Sequence, residues 1–136
     1  MWHRRDCLMS VSLLISPWTL ATNRWPAALP RAMQRAREMR DEAVRSGDQA
    51  FGAVLLREEL IVGEAPSRVV TAGDPTAHAE MEAIRDAARR LKSRDLSGCY
   101  LVSTSRPCRM CEAAAAWARI DRMVYGDGLT DAGRPA

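Results

Sequence analysis

Two short strings hold residues whose types and spacing can do chemistry: His78-Ala79-Glu80 and Pro107-Cys108-Arg109-Met110-Cys111. Cys108 and Cys111 lie at positions i and i+3, a spacing that puts both side chains on one face of a helix. At a helix start, the positive end of the backbone dipole favours their thiolate forms. Two thiolates and one imidazole make a three-ligand set, the pattern of a catalytic zinc that keeps a fourth position open for water. A fourth Cys or His would instead close the site as structural zinc. A C-x-x-C pair is also compatible with redox chemistry, and an even cysteine count with disulfides. The upstream His-x-Glu and the Pro ahead of the pair favour metal. Of the other two cysteines, Cys99 opens an apolar run and reads as a small buried hydrophobe, while Cys7 has no evident partner.

Glu80 follows His78 by two residues, which in a regular helix separates the side chains by about 200°. The two can meet at one site only if His78 lies at the helix start and the site sits beyond the helix end. A carboxylate placed there, beside a metal-bound water but not ligating, can take a proton from that water and return it to a leaving amine. Zinc lowers the pKa of its water to about 7, so hydroxide is available at neutral pH. Hydroxide attack on an amidine-like ring carbon, with proton delivery to nitrogen, is hydrolytic deamination.

The elements that must position these residues can be read from periodicity. Apolar residues at Met33, Ala36, Met39, Ala43 and Val44 predict a helix from Leu29 to about Gly47, with Pro30 in its first turn. Phe51–Leu56 and Leu60–Gly63 predict two short strands joined by a turn at Arg57-Glu58-Glu59. Residues 64–75 contain two prolines and Gly73 and read as loop. A helix follows from about Thr76 to Leu91, with Thr76 as its expected cap and Ala77, Met81, Ile84, Ala88 and Leu91 as its apolar stripe. Cys99–Thr104 predicts a strand, Pro107–Trp117 an Ala-rich helix and Arg122–Tyr125 a last strand. This alternation favours an α/β layered fold with a partly parallel sheet. A helix–strand–helix unit then brings both helix starts to one end of the sheet, where ligands bind in open α/β sheets.

The length of 136 residues suits one domain with a real core. No apolar run approaches the ~20 residues of a membrane-spanning helix. Twenty basic against 17 acidic residues leave a net charge of +3, too small to demand a polyanionic partner. Lys92 is the single lysine; the densest basic stretch, Arg85, Arg89, Arg90, Lys92 and Arg94, reads as a solvated helix face, with RNA contact as the lesser reading. Residues 1–29 differ in composition, holding Trp2, Trp18 and Trp25, a basic start and an interrupted apolar run. They read as a loosely packed extension, a secretory signal being the weaker alternative, with the domain proper spanning 30–136.

H-x-E…P-C-x-x-C is the signature of zinc deaminases, and the chain resembles the cytidine deaminase-like superfamily. The string Asp74-Pro-Thr-Ala-His-Ala-Glu-Met-Glu-Ala-Ile-Arg85 is similar to the guanine deaminase and tRNA adenosine deaminase branches, and Phe51-Gly-Ala-Val54 with Trp117-Ala-Arg119 to guanine deaminases. The resemblance runs from about Met33 to Asp131. It implies a three-layer α/β/α sandwich around a mixed, mostly parallel sheet of four to five strands, C-terminally short here. It implies one Zn2+ per chain on His78, Cys108 and Cys111, with Glu80 as the catalytic proton shuttle. Phe51, Ser67, Ala79 and Trp117 are the expected substrate contacts, although Phe51 and Trp117 read first as core residues. Two positions depart from the family pattern: Arg106 stands where Glu is usual, and Ser67 where a base-contacting Asn is usual. The implied activity is a cytoplasmic, homodimeric hydrolase that releases ammonia from a small nucleobase, guanine preferred. The alternatives are tRNA adenosine deamination, a cytosine- or cytidine-type substrate, and a catalytically impaired zinc-binding relative.

Overall fold

The computed structural model describes residues 25–136. Cys7 and most of the predicted N-terminal extension lie outside the described residues. The packed unit begins before Pro30, however. Ala28 and Leu29 are buried, and the Trp25 ring meets Tyr100 edge-on with centroids 6.5 Å apart.

Eight elements follow in order: α1 (Leu29–Arg45), β1 (Gly52–Arg57), β2 (Leu60–Pro66), α2 (Ala79–Leu91), β3 (Cys99–Ser103), α3 (Arg109–Trp117), β4 (Arg122–Tyr125) and β5 (Thr130–Gly133). The five strands form one sheet in the order β2-β1-β3-β4-β5. Strand residues alternate between its two faces, as the pleat requires. Val54, Leu56, Val102 and Val124 pack under α1, while Leu55, Leu101 and Met123 pack under α2 and α3. The result is the expected α/β/α sandwich.

The expectation of a mostly parallel sheet is corrected. Only β3 and β4 pair in parallel; β1–β2, β1–β3 and β4–β5 are antiparallel. The reason is geometric. The crossover through α2 does join two strands of like direction, β2 and β3, but β1 sits between them and runs the other way. The residue pattern alone marked four strands; the fifth, which the resemblance allowed for, is short, mostly polar and on the sheet edge, with Ala132 its one apolar side chain.

Three further expectations shift. Strand β2 continues through Pro66, beyond the predicted end at Gly63; an edge strand tolerates that proline. Helix α2 starts at Ala79, with His78 as its N-cap, so Thr76 does not cap it. Thr76 instead donates through both its N–H and its hydroxyl to Asp74 Oδ1, each at 2.8 Å, closing the turn that leads into His78. The buried face of α2 is Ala79, Glu80, Ala83 and Ala87, not the larger apolar residues of the predicted stripe; Ile84 and Leu91 flank it half-buried.

That choice of small residues follows from how closely α2 lies on the sheet. A Cβ built on Gly63 of β2 would sit 2.6 Å from both the Ala83 carbonyl oxygen and the Ala87 Cβ. Asp86 adds a polar tie at the same seam, accepting from the Glu64 N–H at 2.9 Å. Gly63→Ala must therefore push α2 off the sheet and should cost about 2 kcal/mol. Urea unfolding checks this; an unchanged midpoint would show that the seam is looser than its geometry.

Candidate metal and catalytic centre

Both βαβ crossovers, β2-α2-β3 and β3-α3-β4, put their helices on the same face, so α2 and α3 open at the same end of the sheet. At that end stand the last residues of β2 and β3 and, because it runs antiparallel, the first residues of β1. A cavity of about 150 Å³ lies there, lined by Gln49, Phe51, Ser67, His78, Ala79, Glu80, Ser105, Arg106 and Cys108.

His78 and Cys108 occupy equivalent places. Each is an N-cap with extended backbone (φ −60°, ψ 151° and φ −74°, ψ 171°), and neither caps its helix with its side chain. Their side chains are thus free to turn outward past the helix start. Cys111, in the first turn of α3, is buried and faces the same point. His78 Nδ1 lies 3.7 Å from each sulfur, and the two sulfurs are 3.6 Å apart. A tetrahedral zinc with Zn–S near 2.3 Å and Zn–N near 2.05 Å requires edges of about 3.8 Å between sulfurs and about 3.6 Å from nitrogen to sulfur. The triangle therefore fits that ion, and among the described residues no fourth His, Cys, Asp or Glu joins the three.

The spacing problem of Glu80 resolves at the same place. With His78 outside the helix, the 200° separation does not apply. Glu80, in the first turn of α2, is only 5% exposed. Its Oε1 accepts from the Ser103 hydroxyl at 2.8 Å, and its Oε2 lies 3.8 Å from the Cys111 sulfur. Ser103 anchors one oxygen and leaves the other beside the ligand triangle. Sequence reasoning missed Ser103; a serine ending an otherwise apolar strand was the available signal.

Burial, with the Glu80 carboxylate close by, pushes the Cys111 thiol well above its ordinary range. A divalent cation inverts this, since a coordinating thiol is deprotonated outright. Glu80 also places a negative charge near a ligand set that is itself anionic once both thiols ionise, which a bound dication neutralises.

The remaining expected contacts separate into two groups. Ser67 and Ala79 line the cavity and are buried, and Phe51 stands on its rim at 42% exposure, so it is not a core residue. As the first residue of α2, Ala79 has an N–H with no intrahelical acceptor. Trp117 does not join them. It ends α3, at the opposite end of that helix from the cysteines, and is 87% exposed, so neither core packing nor a place in this cavity describes it. Gln49, Ser105 and Arg106 complete the lining; the first two carried no sequence signal beyond their nearness to strand ends.

Residues 27–127 match the family model described as the cytidine and deoxycytidylate deaminase zinc-binding region, and the chain belongs to that family. Guanine deaminase of Bacillus subtilis is 40% identical over 101 residues, covering 74% of this chain and 65% of that protein. The tRNA-specific adenosine deaminase of Aquifex aeolicus is 41% identical over 83 residues, covering 61% of this chain and 55% of its own. The crystal structure of the B. subtilis guanine deaminase superposes with a TM-score of 0.67 at 38% identity, over 71% of this chain and 62% of that one. The chain thus spans less than two thirds of these relatives' length. The zinc-binding character of the family agrees with the His/Cys/Cys triangle.

Zinc must displace two thiol protons here, so affinity should rise with pH between about 6 and 8, with protons released on binding. The full chain should take up one zinc, and Cys111→Ser should lose at least tenfold in affinity. Competitive titration with a zinc chelator reads both; affinity independent of pH would exclude the thiols as ligands.

Proposed function

We propose that this chain catalyses the hydrolytic deamination of a small nucleobase, guanine preferred, with one zinc held by His78, Cys108 and Cys111. The observation that carries the reading is Glu80, a buried carboxylate anchored by Ser103, set beside the nitrogen–sulfur triangle at the floor of a cavity. Zinc, when bound, supplies a water acidified to near neutrality.

The chain's own residues do the rest. Glu80 takes a proton from the attacking water and delivers it to the exocyclic nitrogen. A C–O bond forms at the amidine carbon, the C–N bond breaks, and ammonia leaves with the proton that Glu80 carried. Burial keeps competing solvent from that carboxylate. Ser103 holds it in one orientation, so the proton is lifted and returned over the same short path.

The identity to the guanine deaminase over three quarters of the chain supports guanine. The comparable identity to a tRNA-specific adenosine deaminase supports a second reading, adenosine in tRNA. The two separate by salt dependence, because a tRNA complex built on phosphate contacts weakens steeply with salt whereas a free base does not. We infer further that the protein works as a homodimer in the cytoplasm. A Cys108/Cys111 pair used as metal ligands, not as a disulfide, suits a reducing compartment.

Glu80→Gln should lower ammonia release from guanine by roughly a hundredfold to ten-thousandfold, while zinc content stays at one per chain. Turnover retained in that variant would overturn the mechanism. Ser103→Ala should give a smaller loss, confined to kcat.

A further inference from the structure

At the end of β2, Ser67 lines the cavity while only 1% exposed. Its N–H donates to the Phe51 carbonyl at 3.0 Å, and its hydroxyl donates to Asp48 Oδ1 at 2.8 Å. Asp48 is fully engaged. The same Oδ1 accepts from the Gln49 N–H at 2.8 Å. Its Oδ2 accepts from the Val70 N–H at 3.0 Å, the Thr71 N–H at 2.7 Å and the Thr71 hydroxyl at 2.9 Å. Desolvation works to raise the Asp48 carboxyl, but these donors outweigh it and hold it below the usual carboxylate range. Asp48 is therefore an acceptor only.

A serine hydroxyl has one proton and two lone pairs. Here the proton is committed to a charged acceptor, the stronger class of hydrogen bond. What the hydroxyl can offer a bound ring is lone pairs. Asparagine, which offers both a carbonyl oxygen and an amide donor, would not make this distinction.

We propose that Asp48 is a positioning residue that fixes Ser67 as an obligate hydrogen-bond acceptor, so that the cavity selects a heterocycle presenting a ring N–H to that wall. Guanine carries such an N–H next to its amino-bearing carbon. In 2,6-diaminopurine, adenine and cytosine, the corresponding ring nitrogen carries a lone pair, which would face the serine oxygen in mutual repulsion. This deepens the base-deamination reading and rests on it for the kind of ligand, but it concerns which edge is recognised, not whether turnover follows.

The test is calorimetric binding of guanine and of 2,6-diaminopurine to the zinc-loaded full chain, every form carrying Glu80→Gln so that neither base is turned over; wild type below means the native residues at 48, 67 and 71. The two probes share the 2-amino group and differ at the neighbouring ring nitrogen and its carbon. Wild type should favour guanine by about tenfold or more, the worth of one hydrogen bond made against one opposed. Ser67→Ala should bring the two affinities close together. Asp48→Ala, which frees the hydroxyl to rotate and donate, should do so by strengthening 2,6-diaminopurine relative to guanine. Thr71→Val, which removes one Asp48 partner and leaves the Asp48–Ser67 bond, should keep the preference. Equal binding of both probes by wild type, an unchanged ratio in Ser67→Ala, or a parallel loss for both probes in Asp48→Ala would overturn the proposal. Should Asp48→Ala fail to fold, the Ser67→Ala ratio decides alone. Ammonia release from guanine by the chain with Glu80 intact is scored separately. Its absence with an intact binding preference would sink the deaminase reading and leave this inference standing.

Discussion

Everything in the site depends on one nitrogen and two sulfurs meeting at a triangle of about 3.7 Å on a side, brought there by two separate helix openings. The sheet makes that meeting possible. Because β2 and β3 run in the same direction, the helices that follow them start at the same end. Because both helices lie on the same face, the two starts are neighbours. His78 and Cys108 then stand at N-cap positions, where extended backbone turns a side chain away from the helix. A Ser, Thr, Asp or Asn at such a position would stabilise the helix by about 1 kcal/mol. Both helices forgo that contribution, and a bound dication is what can offset it, together with the protons the thiols must lose.

Depth is the second constraint. Glu80 can be buried beside the ligands only because α2 lies close on the sheet, and it lies close because its contact face is alanine and the strand below it carries Gly63. The carboxylate is not left to find its own partner in that position. Ser103, from the strand between the two helices, donates to one oxygen and so directs the other towards the cysteines. Another part of the cavity lining, Ser67, is held differently, by a loop gathered around Asp48.

The candidate site was far more legible than the topology. His78, Glu80, Cys108 and Cys111 were named from residue type and spacing, and the apparent conflict between a two-residue spacing and a shared site pointed to the first turn of the helix, whereas His78 stands one step further out, at the N-cap. Element order was legible through β4, because each element carries its own periodicity or punctuation. Strand direction was not. A helix between two strands announces a parallel pair, but nothing in Gly52–Arg57 announces that β1 intervenes. The buried face of α2 was misjudged for a related reason: hydrophobicity favours Met81 and Ile84, while close packing favours alanine. Trp117 failed as a pocket residue because its position is fixed by helix length, which carries it to the far end of α3. Ser103 and Asp48 act through tertiary contacts between distant segments, and a single sequence does not display those.

The most direct measurement is zinc-edge X-ray absorption on the zinc-loaded full chain, which reads the donor atoms themselves. The account predicts a first shell of two sulfurs at about 2.3 Å with one imidazole nitrogen and one further light atom near 2.0–2.1 Å. A shell of four sulfurs, of nitrogen and oxygen alone, or one that keeps its imidazole when His78 is replaced by alanine, would contradict it.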